Sequence, residues 1–196
     1  PALLSLGEIA GLAENPGFNE EGSGTLEITA YFEADQLTFS YGSHAAHVAV
    51  DPETGKIEII RYVVVEDIGR AINPMLVEGQ IAGGVAQGMG GALLEEFVYD
   101  DRGQPLAASL ADYLLPGIHE TPTVELLLAE DSPSRRNPMG IKGAGEAGCV
   151  GALPAVVNAV VDALKEFGVD HVDMPVTPER VWRAIRDAEE ASADRA

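Results

Sequence analysis

An α+β fold of β-hairpins with packed helices is what this sequence predicts, and three observations carry it. Ile- and Val-rich runs flank the turn signal Asp51-Pro52-Glu53-Thr54-Gly55, which reads as a hairpin. Apolar residues recur at helical spacing from Met75 to about Glu96, through Leu76, Ile81, Val85, Met89, Leu93 and Leu94. A second apolar helix is read from Leu153 to Phe167, with Pro154 in the first turn where proline is tolerated.

In chain order, residues 3 to 13 read as a short helix with Ser5 as its N-cap, and Glu14 to Gly24 as a loop. Strand-like runs follow at Leu26 to Phe32, Leu37 to Tyr41 and His44 to Val50, and Lys56 to Val65 completes the hairpin. Asp67 to Pro74 is a loop leading into the first long helix. Five glycines stand in that helix, Gly83, Gly84, Gly88, Gly90 and Gly91. Each costs roughly 1 kcal/mol against Ala in a helix interior, so close packing on another backbone, or on a ligand, is expected there. Phe97 to Tyr99 and Ala107 to Leu110 flank Asp100-Asp101-Arg102-Gly103 as a second hairpin, Val124 to Ala129 is a further strand, and Ser132 to Gly148 is a long loop. A last helix runs from Pro178 to Glu190 with Thr177 as N-cap, before a frayed tail. With no internal repeat and no long linker, residues 1–196 read as a single region, 1–24 being an N-terminal helix and loop and 178–196 a terminal helix and tail.

Twelve Lys and Arg stand against 32 Asp and Glu, a formal net charge of −20. So acidic a chain repels phosphate backbones and anionic bilayers, which argues against nucleic-acid or membrane-surface roles. No apolar run is read as a membrane span, and no signal-peptide pattern opens the chain. Cys149 is the only cysteine, which excludes an internal disulfide or a thiolate cluster within the chain and suits a reducing cytoplasm. Opening on Pro1 suggests a processed product or a piece of something longer.

The most informative segment is Gly140-Ile141-Lys142-Gly143-Ala144-Gly145-Glu146-Ala147-Gly148. Gly143, Gly145 and Gly148 match G-x-G-x-x-G, a dinucleotide fingerprint. Its context argues against that reading: SRRNPMGIK before it is no apolar strand, the helix begins several residues late, and Glu166, about twenty residues on, lies in a helix. Glu146 reads either as a solvated loop glutamate or as a general base. Its neighbours Gly145, Ala147 and Gly148 let a ligand come close, and helix amides beyond it stand ready to hold an anion. Gln80 and Gln87, seven apart, share a helix face: two surface glutamines, or amides suited to the mixed donor and acceptor edge of a pterin. His44 and His47 point to opposite faces of a strand, and no set of residues has metal-ligand spacing, so no protein-built metal site is expected. Cys149 reads as a buried small hydrophobe.

Taken together, TAYFEADQLTFSYGSHAAHVAVDPETGKIEIIRYVVVEDIGRAINPMLVEGQIAGGVAQGMGGALLEE, SLADYLLP, NPMGIKGAGEAG and ALPAVVNAVVDAL, in that order, resemble the C-terminal molybdopterin-binding region of molybdenum hydroxylase large subunits. That family includes xanthine dehydrogenase, aldehyde oxidase and aerobic carbon monoxide dehydrogenase. The likeness runs to about residue 170 and looks strongest to the carbon-monoxide-dehydrogenase branch. It implies hydroxylation of an aldehyde, N-heterocycle or carbon monoxide with oxygen derived from water. Electrons would leave through 2Fe-2S clusters to FAD on an iron-sulfur and an FAD subunit. It also implies a molybdopterin cofactor, with a cytosine dinucleotide form common in bacteria. By residue, the resemblance implies Glu146 as the catalytic base and Ile141, Lys142, Gly143, Ala144 and Gly145 as the loop along the cofactor. Gln80 would contact the pterin, beside close-packed Gly83 and Gly84. Because the family's large subunit is several times longer, turnover would need the remainder of that subunit, whether this chain is a fragment or one half of a split one. The rival reading is a non-catalytic cofactor-docking or assembly subunit of the same fold.

Overall fold

The computed structural model describes residues 4–13, 31–33 and 36–194, and the chain divides into two units, Pro1–Asp35 and Gln36–Ala196. In the first, α1 (Leu6–Ala13) opens with a capping box. The Ser5 hydroxyl accepts from the Glu8 amide at 3.3 Å while the Glu8 carboxylate accepts from the Ser5 amide at 2.7 Å, so two amides that the first helical turn leaves free are satisfied. The expected loop at 14–24 and most of the strand expected at 26–32 lie outside the described residues.

The second unit is built on the predicted hairpin. Strands β1 (Tyr41–Val50) and β2 (Ile57–Asp67) pair antiparallel, and β3 (Val124–Ala129) joins β2 in parallel, giving the order β1-β2-β3. Between His47 and Val48 the register shifts: His47 faces Arg61 while Val48 faces Ile59. Ile60 is therefore an extra residue on β2, a β-bulge, and it resets the alternation so that Ile57 and Ile59 face inward on one side of it and Tyr62, Val64 and Glu66 on the other.

Helices cover that inner face. α2 (Pro74–Leu93) starts from Asn73, whose side chain accepts from the Leu76 amide at 3.3 Å, with Pro74 in the first turn. After the one-turn α3 (Ala147–Val150) comes α4 (Ala152–Leu164), extended by a 3-10 turn at Lys165–Phe167. α5 (Pro178–Ala193) is capped by Thr177 as predicted, and it carries the expected tail into helix as far as Ala193. Tyr62 and Val64 pack with Ile81, Val85, Met89 and Ala92 of α2 and with Ala152 and Val156 of α4. A second cluster joins Val160 and Leu164 to Val176, Val181 and Ile185. Each of these aliphatic side chains, fully buried, contributes about 1.5–3 kcal/mol.

Four expectations need correction. The hairpin at 97–110 does not form; only a single bridge links Tyr99 to Pro105. There the Asp100 carboxylate captures the Arg102 and Gln104 amides, and Pro105 has no amide to extend a ladder. Leu37 to Tyr41 is not a strand before β1 but contributes one bridge, Phe39 to Gly143. The first long helix ends at Leu93, where the Leu94 and Glu95 amides both turn to the Gly90 carbonyl. Finally, Ala147–Phe167, with a mean hydropathy of 1.7, is long and apolar enough to span a bilayer on composition alone. Here it is broken at Gly151 and sends Ala152, Val156, Val160 and Leu164 into the core.

Candidate active site

The loop before α3 is held at both ends and along its length. Gly140, at φ +72°, turns the chain and its carbonyl accepts from the Arg70 and Ser134 amides, each at 3.0 Å. Asn137 clamps Ile141 twice, donating from Nδ2 to its carbonyl at 2.8 Å and accepting its amide at 3.0 Å. The Lys142 amide donates to Ile68 at 2.9 Å and the Gly143 amide to Thr38 at 3.3 Å. Lys142 turns its side chain inward. The side chain is 6% exposed, and its ammonium lies 3.1 Å from Asp67 and 4.3 Å from the Tyr41 ring centroid. Burial pushes the Asp67 carboxyl up, but the Gly69 amide, Lys142 and the Ser132 amide together hold it below its usual value.

Glu146 stands where this loop meets α3. It is exposed, and its carboxylate does not cap the helix. It lines a cleft of about 600 Å³ with Thr38, Phe39, Ser40, Gly42, His44, Glu66, Gly143, Gly145 and residues of α3, a volume suited to a small organic ligand. Around Gly145 there is open space, so a molecule in the cleft can reach the backbone beside Glu146. The single turn beyond Glu146 bonds its amides internally, Ala147 to Ala144 and Cys149 and Val150 to Glu146.

The back wall comes from the sheet. His44 and Tyr62 are diagonal neighbours across β1 and β2, and the imidazole Nδ1 lies 2.8 Å from the Tyr62 hydroxyl. Burial pushes the Tyr62 phenol well above its ordinary range, which makes it the donor and Nδ1 the acceptor. Burial also lowers the His44 pKa, opposed by a hydrogen bond to the Ala147 backbone. His44 is therefore a neutral tether between the sheet and α3, while His47 points outward. Gly151 makes room for this imidazole, into which any side chain at that position would run.

Of the residues expected at the site, the cleft gathers Gly143, Gly145 and Glu146. Lys142 is taken up by Asp67, and Ala144 accepts the Ala147 amide. Gly84 is buried against the backbone of Gly148 and Cys149, at 2.9–3.0 Å for a Cβ built there, so close helix packing explains its place in α2. Gln80, Gly83 and Gln87 lie on the exposed side of α2, and Ile141 is 36% exposed. Cys149 is half-buried. The reading from sequence missed Glu66, and the alternation of β2 was the signal that places it inward with Tyr62 and Val64.

A family model described as a molybdopterin cofactor-binding domain matches residues 3–122. The chain belongs to that family. It is similar to the 6-hydroxypseudooxynicotine dehydrogenase complex subunit gamma of Paenarthrobacter nicotinovorans, 41% identical over 157 residues, 80% of this chain and 20% of the relative. Similarity extends to the carbon monoxide dehydrogenase large chain of Hydrogenophaga pseudoflava, 38% identical over 162 residues, 83% of this chain and 20% of the relative. Among solved structures, quinoline 2-oxidoreductase from Pseudomonas putida 86 superposes with a TM-score of 0.79 at 43% identity, over 86% of this chain and 21% of that one. The α+β architecture is thus that of a molybdopterin-binding domain, and the chain spans about a fifth of the length of these relatives.

The cleft fits part of such a cofactor. It offers glycine backbone open to close approach and a buried acid with an unpartnered oxygen, which suit a polar heterocycle. No Lys or Arg is among its lining residues, so a phosphate would have to be held by other parts of a longer protein.

Proposed function

We propose that this chain forms part of a molybdenum hydroxylase acting on an aldehyde, an N-heterocycle or carbon monoxide, with Glu146 as its general base. The observation that carries this is the position of Glu146: an uncapping carboxylate on the lip of a cleft, beside open backbone at Gly145. When bound, the molybdenum cofactor supplies the two-electron redox chemistry, and oxygen derived from water is delivered to the substrate. Glu146 accepts the proton released in that transfer. The clamped loop from Asn137 to Gly143 keeps the base in place without help from a ligand. Gly143 and Gly145 let the pterin lie along the backbone, and Lys142 pins the loop to the end of β2. Ile141 and Ala144 complete that run, while Gln80, with Gly83 beside it, would meet the cofactor only from the far side of α2.

The rest of a large subunit, an iron-sulfur subunit and an FAD subunit complete the electron path in this reading. The cofactor carries a cytosine dinucleotide, and the assembly works in the cytoplasm. General bases contribute roughly 10²–10⁴-fold to rate. In the assembled enzyme, Glu146→Gln should lower turnover by about that factor while molybdenum content stays at the wild-type level. Turnover near wild type would remove the base from Glu146 and favour a docking subunit.

A further inference from the structure

We propose that Glu66 is a buried acid that donates a hydrogen bond from Oε2 to a neutral lone pair, a carbonyl oxygen or ring nitrogen, on the molecule seated in the Glu146 cleft. The inference rests on the reading of that cleft as the cofactor and substrate site. Glu66 lies on the sheet's covered face, is 2% exposed and lines the cleft. Gly42 lies directly opposite it on β1, and a Cβ there would collide with Oε2. The carboxyl group thus folds across the strand through a gap that only glycine leaves.

Among the described residues that line the cleft there is no Lys or Arg to pair with it. On the adjoining loop, Lys142 is committed to Asp67. On β1, His44 is neutral, Asp67 next along β2 is anionic, and Glu146 across the cleft is a second acid. An ionised Glu66 would be a buried charge without compensation, which proteins avoid by taking up a proton. Burial accordingly pushes its pKa up, the Ser40 hydroxyl opposes this with a hydrogen bond, and Asp67 adds to the rise. Oε2 is left without a partner and has almost no accessible surface, so a ligand atom meets it only once the carboxyl group turns toward the cleft. A protonated carboxyl group has an O–H to give, and a buried donor that gives it to nothing costs about 1–3 kcal/mol. A ligand acceptor in the cleft removes that cost.

Two sources share this chemistry, the pterin of the cofactor and the organic substrate, and one set of variants separates them. Glu66→Gln keeps a donor of the same reach and cannot ionise; Glu66→Leu keeps the volume and has no donor. In the complete complex, molybdenum and pterin content would be measured. So would equilibrium binding of quinoline and benzaldehyde to the reduced enzyme, with melting temperature as the check on folding. Loss of pterin by about tenfold in Glu66→Leu, with Glu66→Gln near wild type, places the acceptor on the cofactor; tenfold is about 1.4 kcal/mol. Full pterin with tenfold weaker quinoline or benzaldehyde binding in Glu66→Leu alone places it on the substrate. A Glu66→Leu complex equal to wild type on every measure overturns the proposal, and so does a Glu66→Gln complex as impaired as Glu66→Leu. A wild-type complex devoid of molybdopterin overturns the function proposed above and this inference with it. Wild-type cofactor content with an indifferent Glu66 overturns this inference alone.

Discussion

Two groups at the back of the cleft, buried Glu66 and half-buried His44, respond to pH in opposite directions. Burial raises the Glu66 pKa above its ordinary 4.5. Below about pH 4.5 the folded and unfolded chains both hold this proton, and the group is neutral in its effect. As pH rises toward the folded-state value, the unfolded chain ionises first and the native state loses relative stability. His44, lowered from 6.5 by burial, has the reverse linkage: its contribution is complete above 6.5 and is lost as pH falls. In urea unfolding, Glu66→Gln should match wild type near pH 4 and exceed it by a margin that widens toward neutrality. A difference that stays flat with pH would mean that Glu66 titrates normally.

At the scale of elements, the sequence disclosed most where local chemistry decides the outcome. Ser5 and Thr177 cap as side chains of their type do, and Asp51 to Gly55 turns the hairpin. It disclosed least where distant groups decide. Nothing near Lys142 in sequence tells that its side chain pairs with Asp67, 75 residues away. The glycines of α2 were read as packing closely on another backbone or on a ligand, and Gly84 and Gly88 meet Gly148, Cys149 and Ala152 of neighbouring helices. The open backbone beside Glu146 was legible from the small residues around it; the isolation of Glu66 was not, because it depends on what Lys142 does. Breaking a largely buried pair by removing one partner costs about 3–5 kcal/mol. Lys142→Met should therefore destabilise the protein by about 3 kcal/mol in chemical denaturation, and adding Asp67→Asn should recover part of the loss. An unchanged midpoint for Lys142→Met would show that the Asn137 clamp alone holds the loop.

For the molecule as a whole, the chain spans about a fifth of the length of its relatives. Its cleft has an acid, glycine backbone and a tethered imidazole, but no Lys or Arg among its described lining. On the other side of the sheet, Arg61 pairs with Glu125 at 2.6 Å amid Ile60, Val65 and Leu127, which are 42–55% exposed. Purified with its native partners, the chain should carry molybdenum and pterin at near-stoichiometric levels by metal analysis and pterin fluorescence. A fully assembled complex lacking both would leave the fold standing and transfer the catalytic role elsewhere.

The bulge at Ile60 has a consequence for insertions and deletions. Because inward positions run 57, 59 and then 62, 64, 66, deleting Ile60 would leave one unbroken alternation, and every inward side chain would still face the helices. What would change is the bend that bulges impart. Pairing is continuous on either side of Ile60, so the shortened strand would keep Glu66 opposite Gly42 and Asp67 opposite Tyr41. A hairpin one residue shorter at this point can thus keep its core and its register and change only the bend with which β2 reaches the cleft.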